Sequence, residues 1–248
     1  RVEACVVATP PSTHYEIAKA CLEAGKAVLC EKPLCFLPWQ AHELYDLAKE
    51  RHLTLMTDDT WLYHDGVQRT LLHRGSYPVQ ASFIWMNPRA STPVEGALWT
   101  LGPHPVSLAL EMIGERPCEV VGMTVMRAFT CQLSFPSESM AQFYVSWQTQ
   151  QKVRRFIARG LFHDGARSTL FDDELFPSSN EPLLTMCKAF IHRIPEAWLD
   201  RRAVHVVETL EFINRVLIPP AVLWPEEGDD GETLRKAYGM PDNEPGQR

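Results

Sequence analysis

The chain has 248 residues, 45% of them hydrophobic and 22% charged, and a formal net charge of −7. That length supports a sizeable core in one large domain or two smaller ones, and the composition is that of an ordinary soluble globular protein. The acidic balance and the lack of a basic run exclude nucleic acid and anionic membrane as expected partners, and no stretch reads as a transmembrane span or a signal peptide.

Val2 to Ala8 is nearly all apolar and ends in the Thr9-Pro10-Pro11 turn, the pattern of a strand buried on both faces. Ser12 or Thr13 is placed to cap a following helix, with Glu16 in its first turn and Gly25 at its end. Ala27 to Cys30 forms a second apolar strand and delivers Glu31, Lys32 and Pro33 at its carboxyl end. Ligands of parallel α/β sheets sit outside the carboxyl ends of the strands, so the turns Thr9–His14 and Glu31–Pro33 are expected to open onto one crevice. Leu37 to His52 reads as a helix with Pro38 in its first turn, and Leu53 to Met56 as a third strand, giving parallel strands at 2–8, 26–30 and 53–57. Asp58 and Asp59 follow, but neighbours on an extended chain point to opposite sides and make a poor joint metal ligand. The seven cysteines are odd in number, and several lie in apolar segments, the pattern of buried thiols in a reducing cytoplasm. Cys30 and Cys35 lack zinc spacing and have no second pair to complete a site, so no metal is expected.

His64 to Arg74 is a further helix, closed by Gly75, and after it the pattern changes. Val79 to Asn87 alternates, and Glu119–Phe129, Gln132–Phe135, Met140–Gln148, Lys152–Ala158 and Arg167–Phe171 also read as strands. Successive strands without intervening helices imply an antiparallel sheet, so the fold class is α/β plus α+β: part of a doubly wound parallel sheet, then a large open, mainly antiparallel sheet flanked by helices. Helices are expected at Val106–Ile113 (ended by Gly114), Pro182–Ile194 and Val204–Leu217. From Pro219 the chain is rich in Pro, Gly, Asp and Glu, and residues 226–248 read as a flexible tail.

Two motifs, Thr9-Pro10-Pro11-Ser12-Thr13-His14 and Glu31-Lys32-Pro33, stand about twenty residues apart in a strand–helix–strand setting. In this they resemble the Gfo/Idh/MocA family of oxidoreductases. The resemblance implies that Thr9, Pro10, Pro11, Ser12, His14, Glu31, Lys32 and Pro33 lie against a nicotinamide nucleotide, NAD or NADP, with Lys32 between its ring and a substrate hydroxyl. It also implies a division into residues 1–60, a partial dinucleotide-binding domain, and residues 61–225, a substrate and oligomerisation domain. The family carries a Gly-x-Gly-x-x-Gly turn that this sequence lacks, so on this resemblance Val2–Ala8 is the fourth strand and about sixty residues are expected ahead of it.

The segment Thr100-Leu101-Gly102-Pro103-His104 is similar to the family's Asp-x-Gly-x-His, with Thr100 where the family has its acid. Lys32 and His104 are thereby the candidate catalytic pair, and Thr100 and Tyr63 candidate substrate contacts, with Asp58 or Tyr63 facing the cleft. A histidine can take the hydroxyl proton as hydride leaves carbon, and an ammonium stabilises the developing alkoxide. Threonine carries no charge to steady the imidazolium, which keeps a second reading open: a catalytically silent nucleotide-binding or regulatory protein on the same scaffold. Ser146-Trp147, Lys152, Arg154 and Asp172-Asp173 also resemble family segments, although as a pattern alone they read as a packing aromatic and a solvated sheet edge. The resemblance further implies a small sugar, cyclitol or nucleotide-sugar substrate, a cytoplasmic location, and a homo-oligomer built through the open sheet.

Overall fold

The computed structural model describes residues 2–72, 78–88, 96–125, 127–161, 167–174 and 181–217. Two sheets organise it. Strands β1 (Ala4–Val7), β2 (Ala27–Cys30) and β3 (Leu55–Thr57) pair in parallel in the order β1-β2-β3, with helices α1 (His14–Glu23) and α2 (Pro38–Glu50) as the crossovers. All four residues of β2 are buried, as a central parallel strand requires. On one face Val7, Val28, Cys30 and Leu55 pack against Ala18, Leu22, Ala41 and Leu44 of the crossover helices. On the other, Ala27, Leu29 and Met56 pack against Met186 and Phe190 of α6 (Glu181–Arg193).

The opening strand departs from its expected double burial. Val6 is 67% exposed and Val2 63%. Among the described residues β1 pairs only with β2, and on the α6 side the cover reaches Ala4 but leaves Val6 in solvent. Thr13 precedes α1 without capping it through its side chain. Residues Pro11–Thr13 form a short 3-10 turn, so the Thr13 hydroxyl turns back to donate to the Pro10 carbonyl at 2.8 Å. Gly25 ends the helical segment at φ +71°, a conformation that costs glycine no Cβ clash.

After α3 (Asp65–Leu71), whose expected end at Arg74 and Gly75 lies outside the described residues, come β4 (Val79–Met86), α4 (Gly96–Leu101), α5 (Pro103–Ile113), β5 (Glu119–Val125), β6 (Ala128–Ser134), β7 (Met140–Ser146), β8 (Val153–Leu161) and β9 (Arg167–Glu174). The sheet order is β5-β6-β7-β4-β8-β9, antiparallel except for the parallel pair β4 and β7. That exception arises because two helices and a hairpin separate these strands in the chain. The run expected as one strand, Glu119–Phe129, is two antiparallel strands, with Val125 paired to Ala128.

One face of this sheet carries the larger core. β4 alternates as its sequence demands, with Val79, Ala81, Phe83 and Trp85 buried. Phe83 stacks between Phe143 and Phe156 at centroid distances of 5.2 and 4.9 Å. α4, α5 and α7 (Arg201–Leu217) cover that face, and α7 serves both cores, giving Ala203, Val204 and Val207 to the first sheet and Val206, Leu210 and Ile213 to the second. The opposite face leaves Val121, Met123 and Tyr144 exposed. The tail at 226–248 lies outside the described residues. Among the described residues no helix is long and apolar enough to cross a membrane.

Phe83→Ala is expected to cost about 3–5 kcal/mol of stability, because both stacking partners lose a face at once. Urea denaturation of the wild-type and variant chains checks this; a cost below about 1 kcal/mol would place the packing centre elsewhere.

Candidate active site

Lys32 leaves the carboxyl end of β2 and crosses to the second layer, where its Nζ donates to the Thr100 carbonyl at 2.8 Å. Thr100 belongs to the last turn of α4, and Gly102 joins α4 to α5. A Cβ at Gly102 would stand 2.3 Å from the Leu98 carbonyl oxygen of the preceding turn, so glycine fits this junction where a larger residue would force a shift. Pro103 then opens α5 and sets His104 in its first turn. Lys32 and His104, distant along the chain, thus line a single cavity of about 580 Å³, together with Pro10, Pro11, Thr100 and the rings of Trp61, Trp85 and Trp147.

The imidazole of His104 sits among indoles, 6.3 Å from Trp61 and 5.9 Å from Trp85 by ring centroids. Its Nδ1 faces the buried carboxylate of Asp59 at 3.9 Å, an ion-pair distance too long for a hydrogen bond. Burial, and then the charge of Lys32, push its pKa down to about 4 against the pull of Asp59, so the ring is neutral at physiological pH. Lys32 itself is lowered, first by burial; Glu31 opposes this shift and Arg154 adds to it.

Asp59 is held from three sides. Burial alone would raise its carboxyl, yet Arg202, His104 and Ser107 keep it below the ordinary carboxylate value. The Ser107 hydroxyl donates to Asp59 Oδ2 at 2.8 Å, and Arg202 Nε lies 3.3 Å from the same oxygen. Arg202 also reaches Glu111 and Asp200, each at 3.2 Å, and Asp200 accepts from the backbone N–H of Thr57 and Ala203.

The residues read from the sequence divide into those that face the cavity and those that shape it. Lys32, His104, Thr100, Pro10 and Pro11 line it. Thr9 and Ser12 are exposed on the adjoining turn, and Glu31 and Pro33 flank Lys32 without being part of the wall. His14 is buried, with Nδ1 2.7 Å from the Pro33 carbonyl and Nε2 2.8 Å from that of Thr9. It ties the two turns together and has no nitrogen free to meet a ligand. Tyr63 departs from its expected place: its hydroxyl accepts from Arg193 of α6 at 3.0 Å and it packs into the two cores, away from the cavity. Asp58 is likewise occupied, accepting from the backbone and hydroxyl of Thr60. Asp59, Trp85, Lys152 and Arg154 are the cavity-related residues without a catalytic expectation from sequence. The opposite pointing of Asp58 and Asp59 was the available signal that one of them turns inward.

Residues 1–59 match the Gfo/Idh/MocA family, an oxidoreductase family with an NAD-binding Rossmann fold. Inositol 2-dehydrogenase 1 from Saccharopolyspora erythraea is 67% identical over 54 residues, 21% of this chain and 16% of that protein. The uncharacterized oxidoreductase YdgJ of Escherichia coli is 30% identical over 185 residues, 68% of this chain and 50% of that one. Among solved structures, UDP-N-acetylglucosamine 3-dehydrogenase from Acidithiobacillus ferrooxidans superposes with a TM-score of 0.74 at 20% identity, covering 90% of this chain and 80% of that chain. The matched segments span between 13% and 50% of the curated relatives. The family resemblance and the two-sheet fold read from the sequence therefore hold.

Arg202→Met is expected to destabilise the chain by about 3–5 kcal/mol at neutral pH, since it strands two buried carboxylates. Without the guanidinium both carboxyls have folded-state pKa values above their unfolded ones, so protonation favours the native state and the deficit shrinks on acidification. Denaturation midpoints at pH 7 and at about pH 5 check the sign; an equal deficit at both would mean that Arg202 acts through packing alone.

Proposed function

We propose that the protein is a nicotinamide-nucleotide-dependent oxidoreductase acting on a secondary hydroxyl of a sugar-like molecule, with Lys32 and His104 as its working pair. The observation that carries this reading is the convergence of those two side chains on one cavity at the carboxyl ends of β1 and β2. In this reading residues 1–60 serve the nucleotide and residues 61–225 the substrate, and the exposed apolar face at Val121, Met123 and Tyr144 receives a second copy of the chain.

The residues present fit the nicotinamide end of such a cofactor. Pro10 and Pro11 close the cavity on the β1 side, His14 fixes their turn to the Lys32–Pro33 segment, and Lys32 supplies a donor at the β2 side. A bound nicotinamide would supply the acceptor for the hydride of the substrate carbon. Lys32 then holds the hydroxyl oxygen and stabilises the alkoxide that develops on it. His104, neutral and shielded by indoles, takes the hydroxyl proton. Asp59 meets the resulting imidazolium from behind, in the role the family gives to an acid at position 100. Thr100 does not fill that role: its hydroxyl donates to the Gly96 carbonyl and accepts from Trp147. That commitment is also what favours the second reading, a nucleotide-binding protein without turnover.

The test is hydride transfer to NAD or NADP by the intact gene product across a panel of sugars and cyclitols. Lys32→Ala is expected to lower kcat by about 10²–10³ with the fold retained, and undiminished activity would remove Lys32 from the chemistry. Asp59→Asn is expected to lower kcat by about tenfold or more. The free base is the active form of His104, so activity falls as pH drops through about 4. Asp59→Asn moves that acid limb to lower pH, because Asp59 raises the His104 pKa. Tight NADH binding with no transfer from any sugar would establish the second reading instead.

A further inference from the structure

Two cations in the cavity wall have no part in the chemistry above. Lys152, just ahead of β8, and Arg154, its second residue, both line the cavity. Arg154 is only 5% exposed, and its guanidinium carbon lies 4.8 Å from the centroid of the Trp85 ring. One nitrogen, Nη1, donates to the carbonyls of Met86 at 2.6 Å and Val153 at 2.8 Å. Burial lowers its pKa to about 10, so it remains a cation at neutral pH.

Among the described residues no carboxylate lies within ion-pair distance of Lys152 or Arg154. Arg155, on the other side of β8, is paired with Asp172 at 2.9 Å, and Arg202 is shared among three acids. Glu31, Asp58 and Asp59 act on Lys32 from behind the wall, opposing the effect of its burial, but none of them lines the cavity. The cavity is thus walled by three cations, Lys32, Lys152 and Arg154, with no acid among its described lining residues. A buried guanidinium without a counter-charge is costly, and an anionic ligand relieves that cost. Carboxylate and phosphate match the guanidinium fork, and Trp61, Trp85 and Trp147 offer flat apolar faces to the C–H side of a sugar ring.

We propose that the substrate is a sugar bearing an acidic group, carboxylate or phosphate, received by Lys152 and Arg154 while its reacting hydroxyl lies at Lys32 and His104. This rests on the oxidoreductase reading for the hydroxyl end only; the acidic end stands on the cavity's charges.

The test is tryptophan-fluorescence titration of the intact gene product, with NADH present, against D-glucose, D-glucuronate and glucose 6-phosphate. At least one acidic sugar is expected to bind about tenfold or more tightly than glucose, with an advantage that shrinks as salt is raised. Which acid binds more tightly separates carboxylate from phosphate. Lys152→Met, at an exposed position, is expected to remove most of the advantage while leaving NADH affinity unchanged, and Arg154→Lys to reduce it while keeping the charge. Equal affinity for all three sugars, an advantage untouched by Lys152→Met, or a Lys152→Met effect on NADH alone would overturn the inference. The readout requires no turnover, so discrimination without hydride transfer would count against the oxidoreductase reading alone.

Discussion

The buried guanidinium of Arg202 is the constraint on which the cleft depends. It comes from the first turn of α7 and reaches Asp59 beyond β3, Glu111 on α5 and Asp200 at the foot of its own helix. Those three acids belong to different parts of the architecture, and no apolar contact could fix their relative positions with the same directionality. A buried charge network of this kind is poor value as stability, because desolvation offsets most of the attraction. What it provides is geometry. It sets the carboxyl end of β3 against the start of α5, and His104 sits at that junction.

The same network separates the charges of the site by sign. Asp59 lies behind His104 with its charge matched by Arg202, while Lys32 stands in front of the ring and disfavours its protonation. A neutral imidazole between a fixed anion and a cation is arranged to become charged only transiently. In low-dielectric surroundings each of these terms is larger than it would be in water. The 3.9 Å gap to Asp59 leaves Nδ1 without a hydrogen bond in the resting chain. Catalytic hydrogen bonds are often long in unliganded structures and shorten only when the ligand is in place.

Much of the fold was legible because its elements are locally consistent. The period-two alternation of β4, the all-apolar β2 and the helix ended by Gly25 each fix one element from nearby residues. The misreadings come from information that is not local. Val6 looks buried in sequence, but among the described residues the cover on the α6 side of β1 reaches only Ala4. Residues 119–129 carry no strong turn signal, and the hairpin is set by pairing with β7. Tyr63 sits one short turn from Asp59, and only the packing of α6 assigns its hydroxyl to Arg193. The site follows the same rule: Lys32 and His104 stood out through motif resemblance, whereas Asp59 needed the partner in α7 to give it meaning.

Thr100 shows how a departure at one position is absorbed by the arrangement around it. A carboxylate there would stand beside Lys32 and neutralise its ammonium within the protein. With threonine, Lys32 instead donates to the backbone carbonyl of the same residue, and the hydroxyl closes a contact with Trp147. The anion nearest His104 is Asp59, 3.9 Å from its Nδ1. With threonine at position 100 and Asp59 in the interior, no acid stands among the described residues that line the cavity. A neutral substrate gains little from that change. One with an acidic group gains at every cation in the wall, so the altered motif and the lack of a carboxylate partner for Lys152 and Arg154 among the described residues bear on one balance of charge.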